Sequence, residues 1–346
     1  MIKIYAIFFL SYILTFTLTY FGVERFRRWS LQRKLFDIPN ERSSHSEPTP
    51  RGGGLVIVLV CLSVFFVYCL FFGIENYWAY FVGAIIVGFV SWLDDLFSVS
   101  SIWRFMAHGL AAFLAIWSFG FWESAYLPFY GEIFFGKFGA IITFFWIVWL
   151  INAYNFMDGI DGIAGAQAVT AGIGWFLVGI LLNISSAGFY GGAIAVSGLG
   201  FLLHNWQPAK IFMGDVGSAF LGYTFALMPL LALREVGGHS ETKMLLPILA
   251  IFLVLNFVFD SLWTILRRIL RMEKIWQAHR EHIYQKLVIV GFSHSFVASV
   301  YALISVLTVG LIILWLKFKQ NTGDILFLII FLQIFGLLAF SLTKKH

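Results

Sequence analysis

Residues 152 to 165 read Asn-Ala-Tyr-Asn-Phe-Met-Asp-Gly-Ile-Asp-Gly-Ile-Ala-Gly, and they close an apolar run that begins near residue 138. Two amides and two carboxylates at the end of such a run are expensive in hydrocarbon, which makes them a candidate for function. Asn152, Asn155, Asp158 and Asp161 recur every three residues, a spacing that on a helix forms a polar ladder along one side. Gly159 and Gly162 supply backbone on which a helix can end and a loop can approach a ligand. A capped helix end with a solvated Asp-Gly turn is the ordinary reading of one such pair. The threefold repeat argues for more than that.

The rest of the chain sets this stretch in a membrane. Of 346 residues, 60% are hydrophobic and 12% charged, with a mean hydropathy of +0.87, where soluble domains are about half apolar. The chain therefore reads as an all-α polytopic membrane protein, a single domain over residues 1–346. Apolar runs of about 20 residues place spans near 3–22, 54–73, 77–93, 102–120, 138–154, 164–182, 188–204, 216–233, 244–266, 293–316 and 325–342, eleven in all. The first run has no small-residue cleavage site and is followed by Glu24-Arg-Phe-Arg-Arg28, so it reads as a retained helix. Six of the 23 Lys and Arg fall on the opposite side from that basic loop: Lys3, Lys137, Arg234, Lys243, Lys317 and Lys319. This asymmetry puts the N-terminus outside and the C-terminus in the cytoplasm.

With that threading, the polar clusters share the cytoplasmic side, and the outward connections are short or aromatic. Trp122, Tyr126 and Tyr130 in the connection 121–136 read as interfacial anchors. Cys61 and Cys69 sit in one apolar run, which excludes disulfide or metal-type cysteine chemistry. The net charge of +5 lies at the edges of apolar runs, a pattern for anionic lipid and not for nucleic acid.

Five clusters lie on the inward side. Loop 23–53 carries His45 and Arg51 before Gly52, Gly53 and Gly54, whose amides suit a phosphate, although no nucleotide P-loop pattern is present. Asp94 and Asp95 end the third span, with Arg104 just inside the fourth. The 152–165 stretch is the next cluster. The fourth, Asn205-Trp-Gln-Pro-Ala-Lys210-Ile-Phe-Met-Gly-Asp215-Val-Gly-Ser218, flanks its Asp with glycines. The last holds His279, Arg280 and His282, either diphosphate donors or part of a helix lying on anionic lipid. Should Asp94, Asp95, Asp158, Asp161 and Asp215 converge, each pair near 4 Å costs roughly 4 kcal/mol at an effective dielectric of 20. A cation must sit among them. Carboxylates and amides without thiols favour magnesium, or manganese, sharing its shell with substrate phosphates.

These motifs together resemble the polyprenyl-phosphate N-acetylhexosamine-1-phosphate transferases, glycosyltransferase family 4. The resemblance rests on Asp94-Asp95, Asn152-x-x-Asn155-x-x-Asp158-Gly-x-Asp161-Gly, Pro208-Ala-Lys-Ile-Phe-Met-Gly-Asp215-x-Gly-Ser, the His279/His282 loop, and Asp37-x-Pro-Asn with Pro50 and its glycines. It implies a cytoplasmic active-site groove in the bacterial inner membrane, and transfer of a sugar 1-phosphate from a UDP-amino-sugar to polyprenyl phosphate. By the same resemblance Asn155 and Asp215 hold magnesium, Asp94 deprotonates the lipid phosphate beside Asp95, and Asp158 and Asp161 face the nucleotide. His279, Arg280 and His282 contact diphosphate and sugar, while Asn205, Lys210, Arg104, His45 and Arg51 complete substrate binding. Ser98 stands where several relatives carry a third acid, and His-Arg-Glu-His replaces the His-rich run of the muramoyl-pentapeptide enzymes. The latter points to the branch that initiates O-antigen or other surface polysaccharide. Partners are the two substrates and membrane lipid, with a homodimer left open. A transporter of an anionic lipid-linked substrate is the competing class, but it would carry its ionisable residues near the midplane in repeated halves.

Overall fold

The computed structural model describes residues 2–39, 47–74, 77–127, 129–237, 241–274, 280–318, 329–334 and 336. Helix α1 (Ile2–Arg33) is about 48 Å long by its rise per residue, more than the hydrocarbon thickness of about 30 Å. Its last turns therefore protrude, and there Glu24 pairs with Arg27 at 2.8 Å and Arg28 at 2.7 Å. After the short antiparallel pair β1 (Phe36–Asp37) and β2 (Thr49–Pro50) come α2 (Gly54–Phe71), α3 (Trp78–Phe97) and α4 (Ser101–Phe119). A hairpin, β3 (Ser124–Leu127) with β4 (Gly131–Phe134), leads to α5 (Phe138–Phe156), α6 (Ile163–Leu182), α7 (Ser185–Asn205) and α8 (Asp215–Leu233). The chain continues with α9 (Glu241–Leu253), α10 (Leu255–Leu270), α11 (Ile283–Ile289) and α12 (His294–Phe318).

Nine helices among the described residues are long and apolar enough to cross a membrane, and the bent pair α9–α10 makes ten. The chain is a multi-pass, mainly helical membrane protein. The expected span at 325–342 falls largely outside the described residues. Four other sequence expectations change. The single span expected at 244–266 is broken at Val254 with a 72° bend, and the freed Leu253 carbonyl accepts Gln167 Nε2 at 2.9 Å. Such a break is tolerated where side chains satisfy the exposed backbone. The 121–136 connection forms a hairpin, so the fold carries two small sheets. Trp122 is not an interfacial anchor but is 4% exposed, packed on Trp146 with ring centroids 5.5 Å apart. The polar ladder also stops early: α5 ends at Phe156, so Asp158 and Asp161 stand on a turn.

Helix α8 lies at the centre of the bundle, buried on nearly every side, as an all-round apolar helix must be. Small residues let its neighbours close in. A Cβ on Gly54 would come within 2.5 Å of Gly217 Cα, so the start of α2 lies directly against the first turn of α8. The N-terminus of this central helix thus emerges in the middle of one face of the bundle, ringed by the starts of α2 and α4 and the ends of α3 and α5.

Candidate active site

Asp215 opens α8 after Gly214, whose φ of +77° is one that side chains other than glycine rarely adopt. The first amides of a helix have no partner of their own. Asp95 supplies one: its two carboxylate oxygens accept the backbone N–H groups of Asp215 at 3.0 Å and Val216 at 3.1 Å. One nitrogen of Arg51 then lies 2.8 Å from Asp95 Oδ1 and 2.6 Å from Asp215 Oδ1. Asp94 points to a different cation, accepting from Arg104 Nη1 at 2.6 Å, and the same nitrogen is 3.9 Å from Asp215 Oδ2. The adjacent acids are therefore divided: Asp95, its side chain 7% exposed, holds the helix start, while Asp94 faces Arg104.

The cation required among the acids is thus supplied in part by two guanidinium groups. Burial alone would lower the pKa of Arg51, but the carboxylates of Asp215, Asp95 and Asp37 outweigh it and raise it. Asp158 behaves oppositely. Burial, with Asp215 beside it, pushes its carboxyl well above the usual range against the opposing pull of Arg51.

The glycines of loop one do not present their amides to a phosphate, contrary to the sequence expectation. Gly52 and Gly53 donate to the Phe212 carbonyl at 3.2 and 3.0 Å, and Gly54 donates to Met213 at 2.9 Å. These bonds tie the Arg51 loop to the segment before Asp215. Two other expected substrate contacts are spent on architecture. Asn205 is 3% exposed, with Oδ1 accepting Gly162 N–H and Nδ2 donating to the Ile211 carbonyl, both at 3.0 Å. Asp161 accepts Ala209 N–H at 3.1 Å and lies 3.3 Å from His294 Nδ1. Lys210 is exposed on the same loop.

Asn152 turns from the centre toward α4, with Nδ2 3.3 Å from His108 Nδ1. Asn155 is brought to the centre, where its Nδ2 donates to Ser218 Oγ at 3.0 Å on the first turn of α8. That leaves its amide oxygen, with the carboxylate of Asp215, as a hard donor set on neighbouring helix ends. No group of three His, Cys, Asp or Glu among the described residues is arranged to hold a metal. The residues fit a magnesium ion that completes its shell with phosphate oxygens and water, and do not form a closed protein cage.

In the last loop His282 is 4% exposed, and Arg280 beside it is half-buried; His279 and His45 lie outside the described residues. Arg268 meets Glu281 at 2.6 Å and Arg267 meets it at 3.3 Å, so part of the basic cluster neutralises an acid of its own loop. Tyr284 donates to the Phe156 carbonyl at 2.9 Å, linking α11 to the turn that carries Asp158. Sequence reading passed over Asp260, which is fully buried and 3.1 Å from His282 Nδ1. Its signal was a lone acid inside an apolar run, which in a membrane segment is a functional candidate by default.

The family model described as glycosyl transferase family 4 matches residues 77–233, the segment from α3 to α8 that holds both ends of this centre. A probable undecaprenyl-phosphate N-acetylglucosaminyl 1-phosphate transferase of Bacillus subtilis is 30% identical over 92% of this chain and 88% of its own length. A decaprenyl-phosphate N-acetylglucosaminephosphotransferase of Mycobacterium tuberculosis is 30% identical over 80% of this chain and 74% of its own. A phospho-N-acetylmuramoyl-pentapeptide-transferase of Listeria monocytogenes is 29% identical over 65% and 75%. Likeness that runs almost end to end, through the very helices that converge on Asp215, makes this chain a member of glycosyl transferase family 4, among the polyprenyl-phosphate hexosamine-1-phosphate transferases.

Proposed function

We propose that the protein transfers an N-acetylhexosamine 1-phosphate, or a related amino-sugar 1-phosphate, from a UDP-sugar to polyprenyl phosphate and releases UMP. A terminal oxygen of the lipid phosphate attacks the sugar-proximal phosphorus, the bond from that phosphorus to the oxygen bridging to UMP breaks, and the sugar keeps its C1–O bond. The observation that carries this reading is the arrangement of Asp94–Arg104 and Asp95–Arg51–Asp215 around one buried helix start. It offers acids for a cation and guanidinium groups for phosphates, at the end of an apolar body suited to a lipid acceptor.

Asp215 and Asn155 would hold magnesium, which when bound neutralises phosphate charge. Arg104 and Arg51 bind phosphate oxygens, and Asp95 fixes Asp215 by holding the two amides next to it. The second pKa of a phosphate monoester is near 6, so the acceptor is mostly dianionic at neutral pH, and Asp94 orients Arg104 and the nucleophile more than it abstracts a proton. Arg280 and His282, with His279, contact the donor diphosphate and sugar. The site faces the cytoplasm across the bacterial inner membrane, with the N-terminus outside, and the product starts an O-antigen or another surface polysaccharide.

The test is to incubate purified protein with polyprenyl phosphate, magnesium and a panel of UDP-sugars, with a radiolabel in the sugar-proximal phosphate. Label is expected in the organic-extractable lipid as UMP appears, with the anomeric configuration retained. Release of UDP together with a glycosylated lipid would overturn the reading.

A further inference from the structure

Asp260 lies in α10, just past the break at Val254, and is 0% exposed. A buried carboxylate persists only when its oxygens are fully hydrogen-bonded. Here His282 Nδ1 lies 3.1 Å from Oδ1, Ile283 N–H donates to Oδ1 at 2.9 Å and Tyr284 N–H to Oδ2 at 3.2 Å. Tyr301 OH adds a bond of 2.6 Å and Thr264 Oγ1 one of 3.3 Å. The His282 side chain also accepts the backbone N–H of Gln285 in the first turn of α11, so the imidazole bridges Asp260 and that helix start.

The contacts continue in both directions. Tyr284 reaches the Phe156 carbonyl at the end of α5, and a Cβ on Gly159 would come within 2.1 Å of its hydroxyl. The register of α11 therefore sets the turn that carries Asp158. On the other side, Asn256 Nδ2 donates to the Tyr301 carbonyl at 2.8 Å and Ser305 Oγ at 2.9 Å. Ser305 in turn donates to Gln167 at 3.0 Å, and Gln167 holds the open Leu253 carbonyl at the helix break.

We propose that Asp260 is a positioning residue for the transfer described above, fixing the place of His282 and, through α11, the turn that faces the UDP-sugar. Resting on that reading, the inference predicts an effect on the sugar donor and not on the lipid phosphate. Partners that orient a reacting group typically carry 10- to 100-fold effects. Asp260→Asn is expected to lower kcat/KM for the UDP-sugar about 30-fold while leaving the KM for polyprenyl phosphate unchanged. Groups acting as a unit are non-additive, so in a His282→Ala background the same change is expected to cost less than about 3-fold.

Tyr301→Phe, which keeps the charge, gives the same pattern at smaller size and serves should Asp260→Asn fail to fold. Hydrogen exchange of the Ile283 and Tyr284 amides, read without substrate, is expected to accelerate in either variant. Multiplicative losses with His282→Ala, equal losses for both substrates, or unchanged exchange would each overturn the inference. A wild-type enzyme that releases no UMP would overturn the reaction assignment instead, and the exchange result would still decide whether Asp260 anchors α11.

Discussion

Replacing Arg51 by Gln removes a charge that one nitrogen shares between Asp95 and Asp215. Two carboxylates held on the same nitrogen lie about 5 Å apart, and without it they repel by roughly 3 kcal/mol at an effective dielectric of 20. Asp95 is 7% exposed and cannot turn to water, but Asp215 is 22% and Arg51 33% exposed, so solvent screens part of the interaction. The expected net loss is about 2 kcal/mol in metal-free buffer, or several degrees in the thermal midpoint. The assay is thermal unfolding of both proteins in detergent with chelator, repeated with magnesium. Added cation should recover more stability in Arg51→Gln than in wild type, because it takes the place of the guanidinium. Arg51→Lys should keep most of the stability, since both contacts use one nitrogen and a point charge suffices. A variant that melts with wild type in chelator would refute the claim that this bridge carries net energy. Equal gains from magnesium in both proteins would refute the shared carboxylates.

Asp215→Ala should abolish turnover while the protein stays folded in detergent, because its side chain is part-exposed at a helix start; a fully active variant, or wild-type turnover in excess chelator, would remove the metal assignment. Asp94→Asn should retain activity that rises with pH as the acceptor ionises, and complete loss from about pH 6 to about pH 9 with binding intact would restore Asp94 as the base. Asp158 is held above its ordinary pKa, so its contribution to stability is complete below the unfolded carboxylate value and lost as pH rises through the folded one. Asp158→Asn should therefore raise the melting temperature above wild type in mildly alkaline, metal-free buffer, and a variant less stable there than wild type would contradict the shift.

The membrane architecture was legible in the chain because hydropathy is a local sum: about twenty consecutive apolar residues suffice to cross the bilayer wherever they occur. The acids of the site were legible for a related reason, since Asp94, Asp158 and Asp215 stand out at the ends of such runs. What no local sum contains is which distant group satisfies a given amide or charge. Arg51 meets Asp215 across 164 residues, and Asp95 gives its oxygens to the start of α8 from 120 residues away. The glycines of loop one found the carbonyls of Phe212 and Met213 before any phosphate, and Asn205 found Gly162 and Ile211. Asp260 read as a single acid in an apolar stretch, and its meaning came only from His282 and α11 folding back on it. Burial makes each of these polar groups take a partner, and only the packing of the helices and loops against one another decided which partners were within reach.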